Sequence, residues 1–307
     1  MNSDLVTGAS GFIGRALFRS LIADGRAATG IARKGPDSLG AWHAQDLAAD
    51  QALPAGLMKG TDTLYHLAAL VHAGGPVDPG RLQRMNVELP EKLARQAAAA
   101  GVRRLVFLSS IGAQARSART VLDERSPCRP SDAYGASKLA AEEALRRVAT
   151  ETGLEVAILR PPLVVGPGAP GNLARLIAWA KRGRPLPSAT LSNRRNVVGV
   201  SNLVAALRLA ATHPAACGET FIVADPTPLS TGAMFRLLGE AAGRPARFLP
   251  LPAAPLSWAL KAAGRTALAE GLFGDLVLDT SKIEQTLGWA AVKPTAEELR
   301  SAVDAAA

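Results

Sequence analysis

Apolar positions along this chain follow two alternating spacings. Short runs at residues 5–7, 27–31, 63–67, 104–108 and 156–159 are almost continuously apolar, as in strands buried on both faces of a sheet. Between them the apolar positions recur every three to four residues. Ile13, Leu17 and Leu21 share one face of a helix predicted over 11–24 and stopped by Gly25; a second helix over 90–100 ends at Gly101. A β-α-β-α rhythm of this kind predicts an α/β fold with a doubly wound parallel sheet and helices on both faces.

The texture changes after Arg160. Pro161-Pro162-Leu163-Val164-Val165-Gly166-Pro167-Gly168 is loop chemistry and marks a domain edge. The expected division is a nucleotide-binding core over 1–163, to which 192–213 return as one more strand and helix of the main sheet. A smaller, mainly helical C-terminal substrate lobe takes 164–191 and 214–307.

Composition narrows the class. With 307 residues, 48% hydrophobic and 20% charged, the chain is globular rather than disordered. Cys128 and Cys217 stand without a CxxC or histidine neighbour, so no metal is expected, and with no secretory pattern a cytoplasmic location is the expectation. The most apolar C-terminal stretch, 251–273, is broken by Lys261, Arg265 and Glu270. It therefore lacks the ~20 apolar residues of a membrane span, and it reads as buried or amphipathic helix. The net charge of +9 comes from scattered Lys and Arg without aromatic interleaving, which argues against nucleic acid and suits a polyanionic small substrate.

Glycines at G-x-x-G-x-x-G spacing stand where the first strand becomes the first helix, in Thr7-Gly8-Ala9-Ser10-Gly11-Phe12-Ile13-Gly14. Such glycines allow a tight turn and close approach of backbone to a pyrophosphate, at a helix N-terminus whose free N–H groups favour anions. This is the first βα turn of a Rossmann-type dinucleotide site. About 20 positions on, where an acidic residue would bind the ribose of NAD, the chain has Arg33 and Lys34. Arg33 suits the 2′-phosphate of NADP, or is a solvated loop charge. Asp46 and Leu47 cover the adenine, or form a surface turn.

Tyr134-Gly135-Ala136-Ser137-Lys138 places a phenol and an ammonium four residues apart on one helix face that Ser131 or Asp132 can cap; the chain has only two tyrosines. A phenol of pKa about 10 exchanges protons near neutrality only when a neighbouring cation stabilises the phenolate, and Lys138 supplies one. The strand over 104–108 leads into Ser109-Ser110, so Ser110 can hydrogen-bond a reacting oxygen at a carboxyl edge of the sheet.

In these motifs the chain resembles the extended short-chain dehydrogenase/reductase family of nucleotide-sugar epimerases and reductases. The resemblance rests on TGASGFIG from Thr7, YHLAA from Tyr65, Asn86, FLSS from Phe107, YGASK from Tyr134 and LRPPLVVGPG from Leu159. It continues in RRNVVGV from Arg194, GETFIVAD from Gly218 and SKIEQTLGW from Ser281. It implies that Tyr134 is the acid/base, that Lys138 also holds the nicotinamide ribose, and that Ser110 binds the reacting oxygen. It further implies that Gly8, Ser10, Gly11, Phe12, Ile13, Gly14, Leu67, Ala68, Ala69, Pro161 and Leu163 line NAD(H) or NADP(H), and that Asn172 and Arg195 hold the diphosphate of a nucleotide-sugar substrate. Homodimers are common in such a family. Departures are Asp4 in the first strand, Ile111-Gly112-Ala113 after Ser110 where many epimerases have an aromatic-glycine ending, and Ser201-Asn202 in place of an acidic pair.

The family's dehydratases carry an Asp-Glu pair after the catalytic hydroxyl; Ile111-Gly112 stands there instead, which argues against dehydration. Arg33 favours a reductase that exchanges NADPH over an epimerase that retains NAD. The stretch 185–207 also resembles the O-antigen branch that reduces a UDP-4-keto-6-deoxy-N-acetylhexosamine. The expectation is therefore C4-keto reduction, with 4-epimerisation and a non-catalytic NADPH sensor as alternatives.

Overall fold

A computed structural model describes residues 3–35, 40–49, 52–54, 56–71, 78–187, 190 and 192–306. The first half alternates as the apolar spacing requires: β1 (Ser3–Thr7), α1 (Phe12–Ala23), β2 (Ala27–Ala32), β3 (Ala41–Ala44), β4 (Thr61–His66), α2 (Pro79–Gln83), α3 (Leu89–Ala99), β5 (Arg104–Leu108), α4 (Ala133–Thr152) and β6 (Glu155–Arg160). A π-helical turn, Arg84–Glu88, joins α2 to α3. There follow β7 (Leu163–Val165), α5 (Asn172–Lys181), β8 (Leu186–Pro187), β9 (Val197–Gly199), α6 (Val200–Thr212), β10 (Thr220–Ile222) and α7 (Thr231–Ala241). The chain then runs through β11 (Phe248–Leu249), α8 (Ala253–Ala262), α9 (Thr266–Phe273), α10 (Ser281–Leu287) and α11 (Thr295–Asp304).

Seven strands form one parallel sheet in the order β10-β6-β5-β4-β1-β2-β3. The direction of winding reverses between β1 and β4, which opens a crevice at their carboxyl ends, where open α/β sheets bind ligands. Helices cover both faces. On one, Leu17, Phe18 and Leu21 of α1 meet Leu203 and Leu207 of α6; on the other, Leu93 and Ala97 of α3 meet Ala141 and Leu145 of α4. Each large side chain buried in this way contributes roughly 1.5–3 kcal/mol. A separate core joins Leu173 and Ile177 of α5 to Phe235 and Leu238 of α7 and Leu299 of α11.

Asp4 does not delay β1. Its carboxylate is fully buried and accepts Arg26 Nε at 2.5 Å and Nη2 at 2.9 Å, a bidentate pair that offsets the cost of burying the charge. The strand expected near 196–200 does not return to the main sheet. β9 pairs with β7 instead, and Asp225, just after β10, holds that segment: its main-chain oxygen accepts Asn196 Nδ2 at 2.7 Å, and its carboxylate accepts Gly199 N and Asn202 Nδ2. The helix that follows, α6, does pack on the sheet. The seventh strand is β10, where Phe221 and Ile222 are fully buried.

Candidate active site

The glycines after β1 stand where a side chain would not fit. Gly8 has φ +70°, and a Cβ on it would lie 2.8 Å from Ala68 N; a Cβ on Gly14 would lie 2.1 Å from Gly8 O. The turn is therefore pressed against the end of β4 and the first turn of α1. Gly11 caps α1 without a side-chain hydrogen bond, and no acidic residue occupies that first turn. Its N–H groups and positive dipole end are thus left for an anion. Ser10 and Gly11 are exposed, while Phe12 packs on the C-terminal core and Ile13 on the sheet. Beside the turn, Thr7 Oγ1 and His66 Nδ1 are hydrogen-bonded at 2.7 Å. Burial holds His66 neutral, pulled down to about 3, and its Nε2 is buried without a partner. The close cradle, the open helix end and this orphaned nitrogen fit a dinucleotide lying across the crevice.

Ser110 follows β5 and caps a 3₁₀ turn, Ile111–Ala113, accepting Gly112 N at 3.0 Å. That turn leans on α4 so closely that a Cβ on Gly135 would meet Gly112 O at 2.1 Å, which explains the glycine in the YGASK motif. Asp132, the cap of α4, accepts Gly135 N at 2.7 Å. These contacts bring the Ser110 hydroxyl beside the Tyr134 side chain. Burial pushes the Tyr134 phenol up to about 12, while the Arg116 guanidinium and the Ser110 hydroxyl pull it down.

Lys138 is fully buried. Its ammonium donates to Leu108 O at 2.8 Å and lies 4.5 Å from the centre of the Phe107 ring. Burial lowers it to about 7, opposed by the Glu142 carboxylate one helical turn along. Glu142 is itself fully buried and held on all sides. Ser109 Oγ donates to it at 2.5 Å, Arg160 Nη2 at 2.6 Å and Nε at 2.9 Å, and Arg146 Nη2 at 3.1 Å. This one carboxylate ties the ends of β5 and β6 to α4. Asn86, in the π-helical turn, does the same for the loop after β4. Its Nδ2 donates to Leu70 O and Ser137 Oγ, and its Oδ1 accepts Leu70 N at 2.7 Å.

The remaining sequence-derived residues divide. Leu67, Ala68 and Ala69 follow β4 and are half-buried at the crevice, and the Pro161 carbonyl accepts Ile111 N at 2.9 Å, joining the β6 end to the Ser110 turn. Leu163 is exposed. Arg33 is exposed just beyond β2, on the cradle side of the sheet. Asp46 is exposed and accepts Ala48 N at 3.0 Å as the start of a short turn, with Leu47 buried behind it. Asn172 opens α5, exposed. Arg195 donates to three main-chain carbonyls, those of Glu270, Gly274 and Arg116, so its guanidinium braces the lobe against the loop after Ser110. The cation that faces Tyr134 is Arg116, ion-paired with Asp132. Sequence reasoning missed it, because a loop arginine carries no spacing signal. Glu142 was legible only as a polar position four residues after Lys138. Among the described residues no cluster of His, Cys, Asp or Glu could hold a metal.

Residues 5–224 match the model of the NAD dependent epimerase/dehydratase family. The chain is 33% identical over 299 residues to UDP-glucose 4-epimerase of Vibrio cholerae, covering 94% of this chain and 90% of that protein. It is similar to the structure of MoeE5 in complex with UDP-glucose and NAD, with a TM-score of 0.79, 26% identity, and coverage of 99% of this chain and 98% of the other. UDP-glucuronic acid 4-epimerase of Bacillus cereus, in complex with NAD, shares the fold with a TM-score of 0.81 at 20% identity, covering 99% and 98% of the two chains.

Proposed function

This chain belongs to the NAD-dependent epimerase/dehydratase family of NAD(P)-dependent enzymes, and we propose that it inverts C4 of the hexose in a UDP-linked sugar. The observation that carries this reading is the meeting of Ser110, Tyr134 and the glycine cradle at one carboxyl edge of the sheet. Identity to the Vibrio cholerae epimerase over nearly the whole of both chains supports it.

The phenolate form of Tyr134 takes the proton of the C4 hydroxyl, and Ser110 donates a hydrogen bond to the same oxygen. Tyr134 returns that proton once the sugar has presented its other face. A bound nicotinamide dinucleotide supplies the hydride acceptor and donor at C4. The phenolate needs a cation, and Arg116, beside the helix cap, faces it; Lys138, on the same helix face, donates its ammonium to Leu108 O. The Gly8 turn and the N-terminus of α1 would hold the pyrophosphate, and Leu67 to Ala69 would line the crevice.

A second reading is favoured by one observation. Arg33 stands exposed where the adenosine ribose would lie, and its fork matches a 2′-phosphate. NADPH-dependent reduction of a UDP-4-keto-6-deoxy-N-acetylhexosamine would follow. The experiment is incubation with UDP-glucose and UDP-N-acetylglucosamine plus NAD, beside the 4-keto sugar plus NADPH. A mass-neutral change of the sugar without loss of cofactor supports epimerisation; stoichiometric loss of reduced-nicotinamide absorbance supports reduction. Tyr134→Phe should abolish either turnover while retaining dinucleotide binding. A wild-type rate in that variant overturns the mechanism, and binding without turnover in both forms points to a sensor.

A further inference from the structure

The apolar stretch that sequence reading assigned to buried or amphipathic helix folds as two short helices, and α8 buries none of its side chains. Ala253, Leu256, Ser257 and Leu260, at i, i+3, i+4, i+7 spacing, are half-buried, and the helix packs with α9. The opposite face presents Ala254, Pro255, Trp258, Ala259 and Ala262 to solvent. A surface helix ordinarily turns polar residues outward; here the outward face is apolar. Trp258 is 74% exposed, and Leu249, Leu251 and Leu268 nearby are 47%, 41% and 40% exposed.

Charge says what such a surface fits. Between Glu240 and Glu270 the sequence has no acidic residue, yet it carries Arg244, Arg247, Lys261 and Arg265, all four exposed. A tryptophan and leucines whose flanking sequence is charged only by cations match the boundary of an anionic bilayer, where the indole sits at headgroup level and long basic side chains reach the phosphates. A helix of ten residues, about 15 Å long, lies on such a boundary and does not cross it; no helix among the described residues is long and apolar enough to do so.

We propose that the β11-α8-α9 segment docks this protein on the surface of a membrane containing anionic lipid, with Trp258 entering the interface and Arg247, Lys261 and Arg265 facing the headgroups. The surface adjoins the catalytic rim, because α9 ends at the Glu270 and Gly274 carbonyls that Arg195 binds together with the Arg116 carbonyl. A sugar nucleotide would then enter and leave close to the membrane. The proposal does not depend on which C4 reaction the site performs.

The test is co-sedimentation of the full chain with vesicles of phosphatidylcholine, with and without phosphatidylglycerol, at low and high salt, alongside tryptophan fluorescence. The expected result is salt-sensitive binding to the anionic vesicles alone, with a blue shift that Trp258→Ser removes. Each cation removed from the patch should lower partitioning about fivefold, from the roughly 1 kcal/mol that a basic side chain contributes at an anionic surface. Lys261→Glu and Arg265→Glu should lose binding at unchanged turnover, whereas Arg147→Glu, exposed on α4, should bind as the wild type. The proposal is overturned if the wild type stays in the supernatant at low salt, or if the patch variants bind as well as Arg147→Glu. It is equally overturned if Trp258→Ser turns a dimer into a monomer without affecting vesicles, since a second copy then covers the face.

Discussion

Lys138→Met should abolish turnover and, at neutral pH, make the fold more stable. Burial pulls the ammonium from 10.5 to about 7. Between those values the unfolded chain binds more protons than the folded one, so wild-type stability rises with pH across that window and carries the full penalty below about 7. At about 1.4 kcal/mol per pH unit, that displacement is worth about 5 kcal/mol. Two contacts offset it. The charge-assisted bond to Leu108 O contributes roughly 1.5–3 kcal/mol, and the ammonium over Phe107 roughly 0.5–1 kcal/mol. Methionine fills the space of the lysine stem, leaving a net gain of about 1–3 kcal/mol at pH 6. With an unfolding entropy of roughly 2.1 cal/mol/K per residue, that gain raises Tm by about 2–5 °C. The assay is thermal unfolding of the cofactor-free protein from pH 6 to pH 10. The difference should be largest at pH 6 and vanish or reverse by pH 10, where the wild-type lysine is neutral in the fold. A difference independent of pH, or a variant less stable than wild type at pH 6, would refute the reasoning.

Glu142→Gln leaves Arg160 buried without its counter-charge and should cost about 3–5 kcal/mol; scanning calorimetry should show Tm lower by about 5–8 °C. Gly14→Ala places a methyl 2.1 Å from Gly8 O, so dinucleotide titration should show binding lost or greatly weakened, and an unchanged Kd would contradict the cradle. Arg33→Asp should weaken NADPH far more than NADH in the same titration; equal effects remove the argument from the 2′-phosphate.

Much of this architecture is visible in the order of the residues. The apolar runs and their spacing, the glycines after β1 and the Tyr134 to Lys138 interval are local, and local chemistry decides them: strand, tight turn and one helix face follow from neighbours in the chain. Ser110 at the end of β5 belongs to the same class, whereas the choice of Asp132 over Ser131 as the cap of α4 came with the structure. What the tertiary structure decided involves partners far apart in sequence. β9 pairs with β7 outside the main sheet, where Asp225 binds it, and β10 takes the seventh place. Arg195, at the family's motif position, binds three carbonyls of the surrounding loops. Arg116, with no motif to mark it, faces Tyr134. Glu142 meets Ser109 and Arg160 only after three elements have packed, and the face of α8 is apolar outward although its spacing permits burial. Periodicity fixes which residues share a surface, but not what that surface meets; burial and charge pairing settle that only when the whole chain has folded.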